Sequence, residues 1–221
     1  MKQDQKKYSR EIVTTKDGSK SVFVAELDEH YHSVHGAILE ARHVFIENGL
    51  NFCTADPIRV LEMGLGTGLN AMLSCMTDKN IKYHGIEAFP VQNEILAELN
   101  YSEETEDKEN VFRKIHECPW QKLVQITPNF ELYKDRMLIQ DLNVSETYDI
   151  IYFDAFGPRA QGELWDAILF EKMYAALDLN GIFVTYCAKG QVRRDLEHVG
   201  FQVERLPGPP GKREMLRGKK I

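Results

Sequence analysis

Glu62-Met63-Gly64-Leu65-Gly66-Thr67-Gly68 sets three alternating glycines behind a carboxylate. Glycine at this spacing lets the backbone turn sharply and lets a ligand approach with no Cβ in the way. A phosphate-cradling P-loop is excluded, because no Gly-Lys-Ser/Thr follows. The dinucleotide fingerprint G-x-G-x-x-G fails too: begun at Gly64, it would need its third glycine at Leu69. What remains is E-x-G-x-G-x-G. Two more carboxylates end apolar segments, Glu87 in His84-Gly85-Ile86-Glu87 and Asp154 in Asp154-Ala155-Phe156-Gly157-Pro158. Such groups can accept hydrogen bonds from ligand hydroxyls or take a proton from a nucleophile. Taken alone, Asp154 reads equally well as the cap of a tight turn. The histidines of Glu29-His30-Tyr31-His32-Ser33-Val34-His35 have no cysteine or carboxylate cluster to complete a tetrahedral set, so no metal is expected.

These residues need elements to position them. Residues 21–27 have strand-like β-branched and aromatic content, and 36–48 carry apolar residues at helical spacing up to Gly49. From Pro57 the pattern alternates. Strands are expected at 58–63, 81–87, 148–154 and 181–187, with helices at 69–76, 90–99, 163–177 and 192–199. Strands apolar on both faces and separated by helices indicate an α/β fold, a mostly parallel sheet with helices on both faces. Right-handed crossovers place all the parallel strand ends on one edge, where ligands bind. Residues 102–109 are acidic and read as a solvated face. The division expected is an N-terminal strand and helix extension over 1–56, followed by one compact domain over 57–221.

The chain has 221 residues and a formal net charge of −7, with 43% hydrophobic and 28% charged residues. That composition excludes disordered and fibrous classes, and its overall acidity argues against a general nucleic-acid or anionic-membrane binder. The average hides a split. From Lys189 to Ile221 nine Lys/Arg stand against four acids, a segment of +5 on a more acidic body. Four scattered cysteines without a CxxC pair suit a reducing compartment. No signal peptide or membrane-length apolar run occurs, so a cytoplasmic location is expected.

The E-x-G-x-G-x-G turn resembles motif I of class I S-adenosylmethionine-dependent methyltransferases. The segments GAILEARHVFI, LEMGLGTGLNA, IEAFP, DAFGPRAQGELW, LFEKM and GKREML occur in this order. Together they resemble the methyltransferase domain of the MnmC family over roughly Val34 to Leu216. The resemblance implies a Rossmann-like sheet with an antiparallel last strand and S-adenosyl-L-methionine as cofactor. Glu62, Gly64, Gly66 and Gly68 would hold its methionine part, Glu87 its ribose hydroxyls and Asp141 its adenine amino group. Asp154 would stand beside the sulfonium as the catalytic residue, with His35 and His43 bordering the cofactor.

The activity implied is methylation of the 5-aminomethyl group on wobble (2-thio)uridine in tRNA. Phe156 would stack on the base, with Trp165 and Tyr186 as other aromatic partners, and Arg193, Arg194, Lys212 and Arg213 would contact phosphates. With 221 residues, a stand-alone methyltransferase domain without the FAD-dependent oxidase of fused relatives is expected. A separate enzyme is therefore expected to supply the aminomethyl group. Gly157 and the loop Arg159-Ala160-Gln161-Gly162 depart from the family pattern. Alternatives are a class I methyltransferase acting on another amine and a non-catalytic binding module of the same fold.

Overall fold

The computed structural model describes residues 8–143 and 147–221; the polar N-terminal heptapeptide lies outside them. Strands β1 (Arg10–Thr14), β2 (Lys20–Val24) and β3 (Glu29–His30) form a small antiparallel sheet. The main sheet is built from β4 (Ile58–Met63), β5 (Ile81–Ile86), β6 (Leu123–Thr127), β7 (Phe130–Asp135), β8 (Tyr148–Phe153), β9 (Leu177–Thr185), β10 (Phe201–Pro207) and β11 (Glu214–Lys220). The helices are α1 (Ala37–Ala41), α2 (Leu69–Cys75), α3 (Asn93–Leu96), α4 (Tyr101–Glu104), α5 (Val111–Glu117), α6 (Ala167–Ala176) and α7 (Gly190–Val199). A π-helical stretch, Arg42–Glu47, continues α1.

The strand order is β10-β11-β9-β8-β4-β5-β7-β6. The five central strands run parallel, while β6 and the β10–β11 hairpin pair antiparallel at the two edges. The α/β expectation therefore holds, including the antiparallel last strand.

Alternation along the central strands divides the core in two. Val60, Ile150, Tyr152 and Val184 pack on one face with α1, α2 and α5, and Val22 of the small sheet joins them. Leu61, Ile151, Phe153 and Phe183 pack on the other face with α6 and α7. All seven residues of α2 are buried, its polar Asn70 and Ser74 included.

The strand expected over 81–87 ends at Ile86, and β9 begins four residues earlier than expected, at Leu177. The helix expected over 90–99 shrinks to the single turn of α3. Tertiary contacts prevail there: the Arg10 guanidinium bonds the Phe89 and Pro90 carbonyls and the Gln92 side chain, holding this stretch as a loop. The acidic 102–109 segment contains α4 and a turn.

Candidate active site

The parallel strands end on one edge, and a cavity of about 470 Å³ opens there against β4, β5 and β8. The glycine turn forms its floor. Gly64 has φ +87°, and a Cβ on it would stand 2.7 Å from the Asp154 carbonyl oxygen. Only glycine lets the ends of β4 and β8 approach this closely. Gly66, at φ +52°, lies under the Tyr31 ring, which a Cβ would reach at 3.1 Å. Gly68 caps α2 and faces His116, outside the cavity.

Glu87 follows β5 directly. Its two carboxylate oxygens accept from the Gly66 N–H at 2.9 Å and the Phe89 N–H at 2.8 Å, which fixes the side chain in the wall. Met137, Leu138, Ile139 and Gln140 form the adjoining wall.

Asp154 closes β8. Its Oδ2 accepts from the Asn70 amide at 2.8 Å. Burial, with the Glu40 charge behind it, pushes its pKa up to about 7, against the pull of Asn70 and Lys212. Aromatic rings surround this acid. Phe156 meets Tyr31 edge to face at 5.0 Å. Tyr186 donates its hydroxyl to the Ala155 carbonyl at 2.8 Å. Lys212 places its ammonium 3.8 Å from the centre of the Tyr186 ring and 2.6 Å from the buried Glu40 carboxylate. His32, also in the wall, is pushed down to about 4 by burial and stays neutral at pH 7.

The structure thus gathers Gly64, Gly66, Glu87, Asp154, Phe156 and Lys212 around one cavity. It leaves other expected residues outside. Glu62 is sealed beneath the floor at 0% exposure, because the strand alternation turns it away from the edge and into the core. Asp141 is exposed at the end of the 139–141 turn, one residue past the cavity wall. Trp165 is a core residue whose indole N–H donates to the Phe156 carbonyl at 2.8 Å, so it supports the loop from behind. Arg193 and Arg194 lie in α7, one paired with Glu197 and the other bonded to Gln191. Arg213 is exposed beside Lys212. His35 lines the cavity, whereas His43 bonds the Pro207 carbonyl and stays outside.

Sequence reasoning missed Asn70, Glu40 and Tyr31. Glu40 left a signal: it is an acid on the apolar face of its helix, in step with Ala37 and Val44. Among the described residues, no group of three or more His, Cys, Asp and Glu is placed to hold a metal.

The donor set indicates the kind of ligand. Glu29, Glu40, Glu87, Asp154 and Glu163 outnumber Arg10 and Lys212 in the wall. Lys212 is already paired with Glu40, and Arg10 with backbone carbonyls. An anionic pyrophosphate would find few free donors here, whereas a sulfonium cation finds carboxylates and aromatic faces. The glycine cradle and Glu87 fit a nucleoside cofactor bearing such a cation.

A sequence model of S-adenosyl-L-methionine-dependent methyltransferases matches residues 105–221. A bifunctional tRNA 5-methylaminomethyl-2-thiouridine biosynthesis protein, MnmC, from Methylobacillus flagellatus is 27% identical over 218 residues, covering 89% of this chain and 33% of that protein. The Hydrogenovibrio crunogenus MnmC is 27% identical, covering 87% of this chain and 31% of its own length. The chain thus spans about a third of the length of these relatives. Among solved structures, MNMC2 from Aquifex aeolicus superposes with a TM-score of 0.75 at 22% identity, over 96% of this chain and 70% of that one. Spermidine synthase from Thermotoga maritima gives a TM-score of 0.57 at 13% identity, over 97% and 73%. Both superpositions speak to the fold.

Proposed function

This chain belongs to the S-adenosyl-L-methionine-dependent methyltransferases, and we propose that it methylates the 5-aminomethyl group of wobble (2-thio)uridine in tRNA. The observation that carries the reading is Asp154, a carboxylate of raised proton affinity between the glycine turn and an aromatic wall. The MnmC relatives support the tRNA substrate, in the portion of their length that this chain spans.

The cofactor, when bound, supplies a methyl group on an electrophilic sulfonium. Gly64 and Gly66 would hold it, with Glu87 for its ribose hydroxyls and the wall from Met137 to Gln140 alongside. The remaining work falls to the protein. A primary amine attacks only as the neutral species, and in water its pKa resembles the ~10.4 of lysine. Passing that proton to an ordinary carboxylate near 4 would be uphill by ~6 pH units, about 9 kcal/mol. With Asp154 at about 7, the gap falls to ~3 units, or about 5 kcal/mol. Desolvating the amine in the cavity narrows it further. Phe156, Tyr31 and Tyr186 offer flat apolar surfaces for a base turned out of an anticodon loop. Alignment of the amine in this cavity supplies much of the rate. Arg213 and Arg194 are surface cations proposed to meet phosphates, whereas Arg193 is paired with Glu197 and Lys212 acts inside the cavity.

A separate enzyme is proposed to deliver the aminomethyl substrate. Four free thiols suit a reducing, cytoplasmic setting. No helix among the described residues is long and apolar enough to cross a membrane.

The test is methylation in vitro of tRNA bearing 5-aminomethyluridine, read by nucleoside mass spectrometry. Formation of the methylaminomethyl nucleoside is expected, and its absence with active protein overturns the substrate assignment. Asp154→Ala should bind S-adenosylmethionine in calorimetry yet lose at least ~100-fold in turnover. Near-normal turnover would remove Asp154 from the mechanism.

A further inference from the structure

A chain of three polar side chains runs from the cavity wall to beneath its floor, Asp154, Asn70 and the sealed Glu62. The Asn70 amide donates one N–H to Glu62 Oε1 at 2.9 Å and the other to Asp154 Oδ2 at 2.8 Å. We infer that Asn70 positions the Asp154 carboxylate for substrate and that the buried Glu62 fixes the Asn70 amide. This rests on Asp154 as the proton acceptor.

The orientation of the amide is set from both ends. Rotating it by half a turn would point its oxygen at two carboxyl oxygens, so only one arrangement satisfies both neighbours. Asn70 thereby occupies Oδ2 of Asp154, and Oδ1 receives no hydrogen bond from the described residues. One carboxylate oxygen is anchored and the other is left for the incoming amine.

The cluster is costly as structure alone. Asn70 Oδ1 is buried without a hydrogen-bond partner, and the buried Glu62 carboxyl has only the Tyr83 hydroxyl besides Asn70. Apolar residues at 62 and 70 would pack without those penalties. Burial, together with the Asp154 charge, pushes Glu62 well above the usual carboxylate range. That shift disfavours a second full negative charge under Asp154, while Glu62 Oε1 still accepts from the Asn70 amide. Asn70 sits two residues after Gly68, in the first turn of α2, so the same turn that cradles the cofactor also aims the acid.

The experiment is the pH profile of kcat/KM for Asn70→Ala, Asn70→Ser, Glu62→Leu and Glu62→Gln, with cofactor affinity measured by calorimetry. Losing the charge-assisted bond should raise the acid limb by about one pH unit and cut kcat/KM at pH 7 about fivefold. Cofactor affinity should stay within about twofold of the parent. Glu62→Leu should move the limb in the same direction, and the conservative Glu62→Gln should restore it. As a readout independent of turnover, the Asp154 carboxyl carbon titrated by NMR in Asn70→Ser should show the same upward shift. An unshifted profile and an unshifted NMR titration, with Asp154→Asn inactive, would overturn the role of Asn70 and leave Asp154 standing. Normal turnover by Asp154→Asn would instead remove the proton acceptor and this inference with it.

Discussion

Asp154 holds its proton until about neutral pH because the cavity withholds water and Glu40 adds repulsion. A carboxyl whose folded pKa lies above its unfolded value favours folding below the unfolded pKa, near 3.8 here, and that advantage is lost as pH rises through about 7. The ionised acid is thus a standing cost at pH 8. Asp154→Asn should stabilise the protein at pH 8 by about 1–3 kcal/mol in chemical denaturation, with the gain vanishing below pH 4. An equal gain at both pH values would mean that charge is not the cause. Residue by residue, the chemistry was legible where type and spacing met a strand end, as at Glu87 and Asp154. It was not legible at Glu62, because the E-x-G-x-G-x-G spacing does not say which way a strand side chain faces. Lys212 misled differently: its charge looked free in sequence, and Glu40, 172 residues away, neutralises it in space.

The elements around the cavity depend on a few close approaches. The tip of the β10–β11 hairpin carries Lys212 into the site, and the turn works because Gly211 adopts φ +84° against the His35 ring, where a Cβ would overlap the imidazole. Gly211→Ala should therefore cost about 1–3 kcal/mol in denaturant unfolding and shift Lys212 away from Tyr186. Unchanged stability together with unchanged turnover would show that the hairpin tip tolerates displacement. At this scale, long apolar segments such as β4, β8 and α2 declared themselves through hydrophobicity alone. Strands β6, β7, β10 and β11 did not, since they are edge or near-edge elements with mixed faces. β7 alternates buried and half-buried residues, and its inward Lys134 reads as polar in sequence although it is 1% exposed. Its ammonium donates to the Ile115 and His116 carbonyls, a destination no local pattern encodes.

At the scale of the whole molecule, much of the positive charge near the C-terminus is already committed. In the basic C-terminal segment, Arg193, Arg205, Lys212 and Arg217 are paired with acids, and Lys220 donates to the Tyr174 and Leu177 carbonyls. That leaves Lys189, Arg194, Arg213 and Lys219 to meet a polyanion from this segment. Four contacts to a single-stranded loop predict a slope of about −3 in log affinity against log salt. A slope near zero would exclude phosphate contact, and one near −6 would mean that the pairs exchange partners. Acid should weaken the fold through His32 and His116, both pushed down to about 4 by burial. Histidines of depressed pKa add stability above their unfolded value of 6.5, and this is lost as pH falls through about 4. Thermal scans should show the melting point dropping across that window by the equivalent of up to about 3 kcal/mol per histidine. A flat response would place both imidazoles in contact with water. Finally, the cavity draws its walls from Tyr8 at one extreme of the chain and Lys212 at the other. On a ribosome adding ~5–20 residues per second, the stretch between Asp154 and Lys212 takes roughly 3–12 s to appear. Throughout that interval Asp154 is wetted and titrates as an ordinary acid, so its proton affinity rises only when the last wall closes and reports that the nascent chain has finished folding.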